Sequence, residues 1–193
     1  MTLIEQIRQQ ISLDTMNKQY EQLGYKPLFV AHKHAKILIV GQAPGIKAQM
    51  KMIPFKDASG DRLISWLGVT EEVFRDPEIF SFLPMDFYYP GKGKSGDCPP
   101  RKEFAQKWHP QLIKHMPQLE LIILAGSYAQ EHYLKTHRKK NLTETVKSYK
   151  EYLPHYFPLV HPSPLNFRWL KLNPWFKQEV IPELKKVVKE IIN

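Results

Sequence analysis

Four short apolar runs constrain the fold of this chain more than any other feature of the sequence. Leu119–Ala125 is the most apolar run, and Lys36–Val40 follows the same pattern. Neither alternates apolar with polar residues, which is typical of strands buried on both faces. Phe80–Phe87, broken by Pro84, and Tyr156–Val160 complete a set of four predicted strands. Because helical segments separate them, we expect an α/β fold, a three-layer α/β/α arrangement with a central four-stranded parallel sheet.

Helical periodicity predicts helices at residues 3–12, 14–23, 59–67, 71–74, 103–115, 127–135, 142–153 and 175–192. Ser59 is the expected N-cap of the third helix, and Pro182 is expected to bend or split the last. The first two helices form a lead-in over residues 1–35, and the length of 193 residues predicts one domain, 1–193. The Gly- and Pro-rich stretch Tyr88–Arg101 is predicted to be a long irregular loop.

The charge balance favours a polyanionic partner. Lys and Arg total 28 against 19 acidic residues, which gives a net charge of +9. Many of the basic residues lie in the Gly- and Pro-rich segment or directly after one of two predicted strand-end loops: Lys47, Lys51, Lys56, Lys92, Lys94, Arg101, Lys102, Arg168 and Lys171. The alternative interpretation is that these side chains only solvate the surface.

Several classes of protein are excluded by composition. The single cysteine, Cys98, rules out an internal disulfide and a four-cysteine metal or iron-sulfur site. We therefore predict no metal and no cofactor. No run is long and apolar enough to cross a bilayer, and the N-terminus lacks a signal-peptide pattern. We expect a cytoplasmic monomer with no membrane contact.

Two Gly/Pro-containing loops leave predicted strands at opposite ends of the chain. Gly41-Gln42-Ala43-Pro44-Gly45 follows the first strand, and His161-Pro162-Ser163-Pro164-Leu165 follows the fourth. Open α/β sheets bind their ligands at the carboxyl ends of the strands. The two loops are therefore predicted to form one site.

These loops, with Ile53-Pro54-Phe55 and Leu124-Ala125-Gly126-Ser127-Tyr128-Ala129-Gln130, resemble the ordered motifs of the uracil-DNA glycosylase superfamily over about residues 36–170. The resemblance implies a monofunctional enzyme of base excision repair, with DNA as its partner. Such an enzyme flips a nucleotide out of the stack and hydrolyses the N-glycosidic bond of uracil or a related deaminated or damaged base.

The resemblance also implies roles for individual residues. His161 would stabilise the negative charge that develops on the departing base. Phe55 would stack on that base, and the backbone of residues 41–45 would hold its edge. Leu165 would enter the duplex in place of the flipped nucleotide. The residues predicted to bind DNA are Ser127, Pro162, Ser163, Pro164, Leu165 and Arg168.

The chain departs from the family at the water-activating position. Ala43 stands where the conventional branch has an aspartate and the single-strand-selective branch an asparagine. Asp57 or Asp86 is predicted to position water instead. Strand two also lacks the asparagine that reads uracil, and an ionised Asp86 could only accept hydrogen bonds, which suits an amino-bearing base edge. The identity of the base stays open.

Two other functions are compatible with the same residues. The chain could be a catalytically weak or inactive member of the superfamily that binds DNA or a modified base. It could also be a nucleotide-binding α/β enzyme that acts on free nucleosides, in which case binding would depend little on salt.

Overall fold

A parallel four-stranded sheet forms the centre of the molecule. The computed structural model describes residues 1–94 and 96–193. The strands are β1 (Ile37–Val40), β2 (Phe80–Phe82), β3 (Leu121–Ala125) and β4 (Tyr156–Leu159), in the order β2-β1-β3-β4. All three strand pairings are parallel. The predicted parallel sheet is confirmed.

Helices cover both faces of the sheet within the described ranges. They are α1 (Leu3–Leu13), α2 (Lys18–Gln22), α3 (Ile46–Lys51), α4 (Ala58–Leu67), α5 (Glu71–Arg75), α6 (Lys102–Ile113), α7 (Ser127–Leu134), α8 (Leu142–Lys147), α9 (Phe167–Leu172) and α10 (Ile181–Ile192). Short 3₁₀ turns lie at Thr15–Asn17, Lys135–His137, Tyr149–Tyr152 and Pro164–Asn166, and a π-helical turn at Phe176–Val180. None of the helices in the described ranges has the length and hydropathy to span a membrane.

Alternate side chains of each central strand enter opposite cores. Leu38 and Val40 pack into the core that includes α1, α6 and α7, whereas Ile37 and Ile39 pack into the core that includes α4 and α10. All four side chains are fully buried. Because side chains alternate along a strand, a run without polar residues buries both faces of the sheet. The three-layer arrangement follows from this double burial.

The second strand is shorter than predicted. It ends at Phe82 rather than Phe87, because Pro84 has no N–H to donate to the ladder. The chain nevertheless continues beside the first loop, where the Met85 N–H donates to Gly41 O at 2.9 Å. This continuation brings the segment after β2 to the carboxyl end of β1.

The helix boundaries differ from the prediction at several points. The N-cap of α4 is Asp57 rather than Ser59. The predicted helix 14–23 is a 3₁₀ turn followed by α2, and the predicted helix 142–153 is α8 followed by a 3₁₀ turn. Pro182 lies in the first turn of α10, so the closing segment is split after its π-helical turn.

Helices α3 and α9 were not predicted, because α3 has no large buried apolar side chain and the apolar side chains of α9 are at most partly buried against the core that includes α4 and α10. In α3 the apolar side chains Ile46 and Met50 are largely exposed, and the polar Gln49 is buried instead. The Gln49 side chain donates to Lys26 O and accepts from the Tyr89 N–H. Helix α9 buries no residue. A pattern search for one apolar face misses such helices.

Candidate active site

The two Gly/Pro-containing loops line one cavity at the carboxyl edge of the sheet. Its volume is about 460 Å³, and its wall includes all of Gly41–Gly45 together with His161, Ser163 and Leu165. This volume lies within the range usual for small-ligand sites. The chain leaves β1 and β3 toward opposite sides of the sheet, which opens the crevice where α/β proteins bind ligands. The structure therefore brings the predicted loops together.

His161 is held in a defined tautomer by its own loop. Its Nδ1 accepts a hydrogen bond from the Ser163 N–H at 3.2 Å. Burial lowers the pKa of His161 below its ordinary value, and the nearby Asp57 carboxylate opposes this shift more weakly. A neutral imidazole that accepts at Nδ1 carries its proton on Nε2. His161 therefore provides an N–H donor without a net charge at neutral pH.

Gly126 supports the imidazole from behind. Its φ is +98°, and a Cβ atom at this position would lie 3.4 Å from His161 Cβ and 3.7 Å from Cδ2. The Gly126 N–H donates to Leu159 O, which joins the end of β3 to the end of β4. The positive φ favours glycine at this position, whereas the distances to His161 are those of ordinary van der Waals contact. The His161 side chain therefore packs directly against the backbone of Gly126.

Two side chains that were not predicted brace the histidine loop. Asn166 Nδ2 donates to His161 O at 2.8 Å, and the Asn166 N–H donates to Ser163 O at 3.0 Å. Arg62 Nη1, from α4, also donates to Ser163 O at 2.8 Å. Arg62 is distant in sequence from the loop, and no local pattern signals the contact. The loop geometry is therefore set by α4 as well as by its own turn.

Phe55 lies in the cavity wall with a left-handed backbone, at φ +53°. Its ring packs against Phe74 and Phe82, at centroid distances of 6.4 and 5.9 Å. A Cβ atom on Gly41 would lie 3.1 Å from Phe55 Cζ, so the ring is in close contact with the first loop. This packing fixes an aromatic face beside the predicted base-binding backbone.

The backbone of Phe55 is fixed from two other directions. A Cβ atom on Gly60 would lie only 1.8 Å from Phe55 O, so α4 can approach this carbonyl only with glycine at position 60. Arg75 donates to the carbonyl oxygens of Pro54 and Phe55. The strained φ of Phe55 is thus maintained by contacts from α4 and α5, as is common at functional sites.

Asp57 lines the cavity and caps α4 with one oxygen. Its Oδ1 accepts from the Ser59 and Gly60 N–H groups at 2.9 and 3.1 Å. Its Oδ2 lies 3.7 Å from the position of a Cβ atom on Gly45. Within residues 1–94 and 96–193, no hydrogen bond to Oδ2 is present. One carboxylate oxygen therefore faces the first loop and can accept a hydrogen bond from water.

The structure does not bring Asp86 into the cavity. Asp86 is fully buried, and Arg101 donates to both of its carboxylate oxygens, at 2.6 Å from Nε and 2.8 Å from Nη2. The Tyr88 N–H also donates to Oδ1. The prediction that Asp86 lines the pocket is therefore corrected, because its oxygens are already paired with a guanidinium. Arg101, one of the basic residues that the sequence analysis assigned to predicted loops, is the other member of this pair.

The rest of the cavity wall contains both apolar and polar residues, and several of them belong to none of the sequence motifs described above. Apolar contacts come from Leu28, Phe82 and Pro84, and Tyr128 enters from the first turn of α7. Pro84 supplies an apolar surface at the carboxyl end of β2, and its carbonyl oxygen is hydrogen bonded to the buried His109. Ala43 presents a methyl group in the first loop. The position of Pro84 near the carboxyl end of a strand could have indicated that it lines the cavity. Its contact with the cavity depends, however, on β2 ending at Phe82, which was not predicted.

Of the residues predicted to bind DNA, Ser163 and Leu165 line the cavity. Leu165 is 79% exposed. Ser127, the first residue of α7, is exposed, and Arg168 is exposed on α9. Pro162 is buried and Pro164 exposed, and neither lines the cavity. Two of the basic residues that the sequence analysis named as favouring a polyanionic partner have acidic neighbours: Lys56 pairs with Glu71, and Lys92 lies 3.6 Å from Asp97.

The fold and the cavity define a class of protein: a three-layer α/β/α chain whose loops enclose a ligand site at the carboxyl edge of a parallel sheet. Residues 28–185 match the model of the uracil DNA glycosylase superfamily. The chain belongs to this superfamily. It is also similar to an NMR structure from Methanosarcina acetivorans described as a candidate uracil DNA glycosylase, with 14% identity, a TM-score of 0.48 and coverage of 86% of this chain and 96% of that one.

Proposed function

We propose that the chain is a monofunctional DNA glycosylase that hydrolyses the N-glycosidic bond of uracil or a related deaminated or damaged base. Membership of the superfamily supports a glycosylase-like function on DNA. The observation that carries the proposal is the shared cavity. A neutral His161, an aromatic wall at Phe55 and the backbone of Gly41–Gly45 all border it.

In the proposed reaction His161 stabilises the leaving base. The bond between the sugar C1′ and the base nitrogen breaks, and its electron pair stays on the base. The Nε2–H of His161 donates to the base carbonyl oxygen that gains this negative charge. A preorganised donor of this kind contributes roughly a hundred- to a thousandfold in rate. The neutral form suits the role because its proton position is fixed by the hydrogen bond from Ser163.

Asp57 is proposed to position the attacking water. Its Oδ2 would accept a hydrogen bond from a water molecule, and the water oxygen would form the new bond to C1′ while a proton passes to the carboxylate. Ala43 supplies no such group. No lysine is found among the described residues that line the cavity, which favours hydrolysis over a Schiff-base pathway.

The DNA itself is proposed to lie across the cavity mouth. The Ser127 N–H and hydroxyl at the start of α7 would bind a phosphate, as helix N-termini do. Ser163 and Arg168 would bind the flanking phosphates, and Leu165 would occupy the space of the flipped nucleotide. The net charge of +9 supports a phosphate-rich partner.

Excision assays test the proposal directly. Oligonucleotides carrying uracil, hypoxanthine, xanthine or thymine, in single and double strands, are incubated with wild type, His161→Ala and the control His155→Ala, whose side chain is exposed. We expect wild type and the control to release at least one base at equal rates, and His161→Ala to be about a hundred- to a thousandfold slower. Equal rates for all three proteins would contradict the assignment of His161.

A second variant separates the two roles of Asp57. Asp57→Asn keeps a good N-cap for α4 but removes the proton acceptor. We expect excision to fall about a hundredfold or more while the free energy of unfolding stays within about 0.5 kcal/mol of wild type. Asp61→Asn, an exposed position in the first turn of α4, is the matched control. Unchanged excision by Asp57→Asn would remove Asp57 from the mechanism.

A DNA-binding reader without catalysis is the second candidate, and Ala43 favours it. Ala43 contributes only a methyl group to the cavity wall, at the position where the resemblance to the family implies a water-activating side chain. In that case wild type and His161→Ala would both bind lesion-containing DNA without releasing any base. Release by the wild type excludes this reading.

A further inference from the structure

The wall of the cavity carries negative charge, although the chain as a whole is basic. Two carboxylates, Asp57 and Asp97, line the cavity. Among the described residues that line it there is no lysine and no arginine, whereas the net charge of the chain is +9. Arg62 and Lys92 each contact a lining residue without lining the cavity themselves. A cavity whose wall bears one sign of charge attracts ligands of the opposite sign.

Asp97 lies in a closed turn of the segment between β2 and α6, and it was not among the predicted site residues. The Cys98 N–H donates to Gly91 O at 2.9 Å, and Lys92 and Asp97 form an antiparallel bridge. Gln42 Nε2 donates to Cys98 O at 3.5 Å, which joins this turn to the Gly/Pro-containing loop after β1. The Asp97 side chain is therefore held beside the backbone that is proposed to bind the base.

The Asp97 carboxylate retains an acceptor oxygen. The Tyr89 hydroxyl donates to Oδ1 at 3.5 Å, and Lys92 Nζ lies 3.6 Å from the same oxygen. The Lys92 side chain is 77% exposed, so solvent screens this ion pair and it offsets little of the negative charge. Within residues 1–94 and 96–193, Oδ2 accepts no hydrogen bond. Because a carboxylate only accepts hydrogen bonds, Asp97 can bind an amino group of a ligand but repels a carbonyl oxygen.

Two aromatic side chains border the cavity together with the carboxylates. Phe55 is fixed in the wall by Phe74 and Phe82, and Tyr128 enters from the first turn of α7. The face of an aromatic ring attracts a cation, most strongly where water is excluded. A planar ring with a positive charge therefore gains from the aromatic and the acidic parts of the wall at once, whereas a neutral base gains only from the aromatic part.

The charge of the wall also affects the departure of the base. A neutral base such as uracil leaves as an anion, and carboxylates near that anion raise the barrier. A base that is alkylated on a ring nitrogen carries a positive charge before the reaction. When its bond to C1′ breaks, the electron pair moves onto the base and cancels that charge, so the base departs neutral. The water oxygen bonds to C1′ and its proton passes to Asp57, as in the reaction proposed above.

We propose that the cavity prefers a positively charged, N-alkylated base with an exocyclic amino group over a neutral base, and that Asp97 determines this preference. The proposal rests on the proposed function, because it assigns a class of base to the same cavity. Asp97 accepts a hydrogen bond from the amino group, Phe55 stacks on the charged ring, and His161 donates to a carbonyl oxygen of the base. 3-Methylcytosine combines the charge, the amino group and the carbonyl.

Nucleoside binding tests the preference without any excision. 3-Methyl-2′-deoxycytidine is positively charged at neutral pH, whereas its parent 2′-deoxycytidine is neutral. In NMR titrations we expect wild type to bind the methylated nucleoside at least about tenfold more tightly than the parent. Asp97→Asn should remove most of this difference, and Asp97→Glu should retain it. Asp61→Asn, which removes an exposed carboxylate outside the cavity, is the matched control and should keep the wild-type ratio.

Excision from oligonucleotides that carry 3-methylcytosine or uracil completes the experiment. We expect wild type to release 3-methylcytosine faster than uracil, and Asp97→Asn to lose this order. The inference is overturned by equal affinities for the two nucleosides, by no binding of the methylated one, or by an unchanged ratio in Asp97→Asn. Preferred binding of the methylated nucleoside without release of any base would refute the glycosylase proposal and support the preference of the cavity. Release of uracil by a wild type without this preference would refute the present inference alone.

Discussion

Replacing Gly60 by alanine sets two opposing effects against each other. Gly60 lies in the first turn of α4, where alanine is favoured over glycine by at most about 1 kcal/mol. The new Cβ atom, however, would lie 1.8 Å from Phe55 O, a backbone atom that Arg75 also holds. Forced displacement in a packed region costs about 1–3 kcal/mol, and weakening a hydrogen bond to a charged group adds about 1.5–3 kcal/mol. The clash should therefore outweigh the gain in helix propensity.

We expect Gly60→Ala to lower the free energy of unfolding by at least about 2 kcal/mol, and Tm by at least about 4–8 °C. Excision should fall by at least tenfold, because Phe55 would move in the cavity wall. Urea unfolding and single-turnover excision measure the two effects. Ser65→Ala, at an exposed position of the same helix, is the control and should gain a few tenths of a kcal/mol. A Gly60→Ala protein as stable and as active as this control would refute the reasoning.

Three further predictions address the buried pair, pH and salt. Asp86→Asn should lower the free energy of unfolding by about 3 kcal/mol in urea titrations yet leave excision by the folded protein unchanged, because it breaks a buried ion pair outside the cavity. Burial lowers the pKa of His109 to about 3, so the unfolded chain binds one more proton between about pH 6.5 and 3. The contribution of neutral His109 to the free energy of unfolding is therefore complete above about pH 6.5 and falls by about 1.4 kcal/mol per pH unit toward pH 3. In urea titrations across this range, the free energy of unfolding of His109→Gln should depend less steeply on pH than that of wild type. Arg168→Gln should reduce the salt dependence of DNA binding by about one phosphate contact in fluorescence-anisotropy titrations, whereas an enzyme for free nucleosides would show little salt dependence.

The sheet and the shared cavity were predictable because they depend on local patterns. The runs at Ile37–Val40 and Leu121–Ala125 are apolar at every position, and a glycine- or proline-containing loop follows β1 and β4. Parallel strands place such loops at one edge whatever the details of the helices. His161 and the Gly41–Gly45 loop could therefore be assigned to one site before any distance was known, whereas Phe55 was assigned to it by the family resemblance.

The hydrogen bonds that fix the loops of the site were not predictable, because they join residues that are far apart in the sequence. Arg62 contacts a carbonyl about a hundred residues away, and Arg75 contacts the turn at Phe55, so neither contact leaves a periodic signal. Asp86 was misplaced because the end of β2 was predicted too late. A carboxylate near a strand end reads the same in sequence whether it faces a cavity or a buried arginine such as Arg101.

The strand order has a consequence for how the chain folds. The first loop follows β1 and the histidine loop follows β4, and β3 lies between those two strands. Neither loop can meet the other until the third strand has been inserted and the last has docked on it. A nascent chain therefore carries no complete cavity until its final strand has emerged and paired with β3. The proposed activity would therefore depend on completion of the sheet.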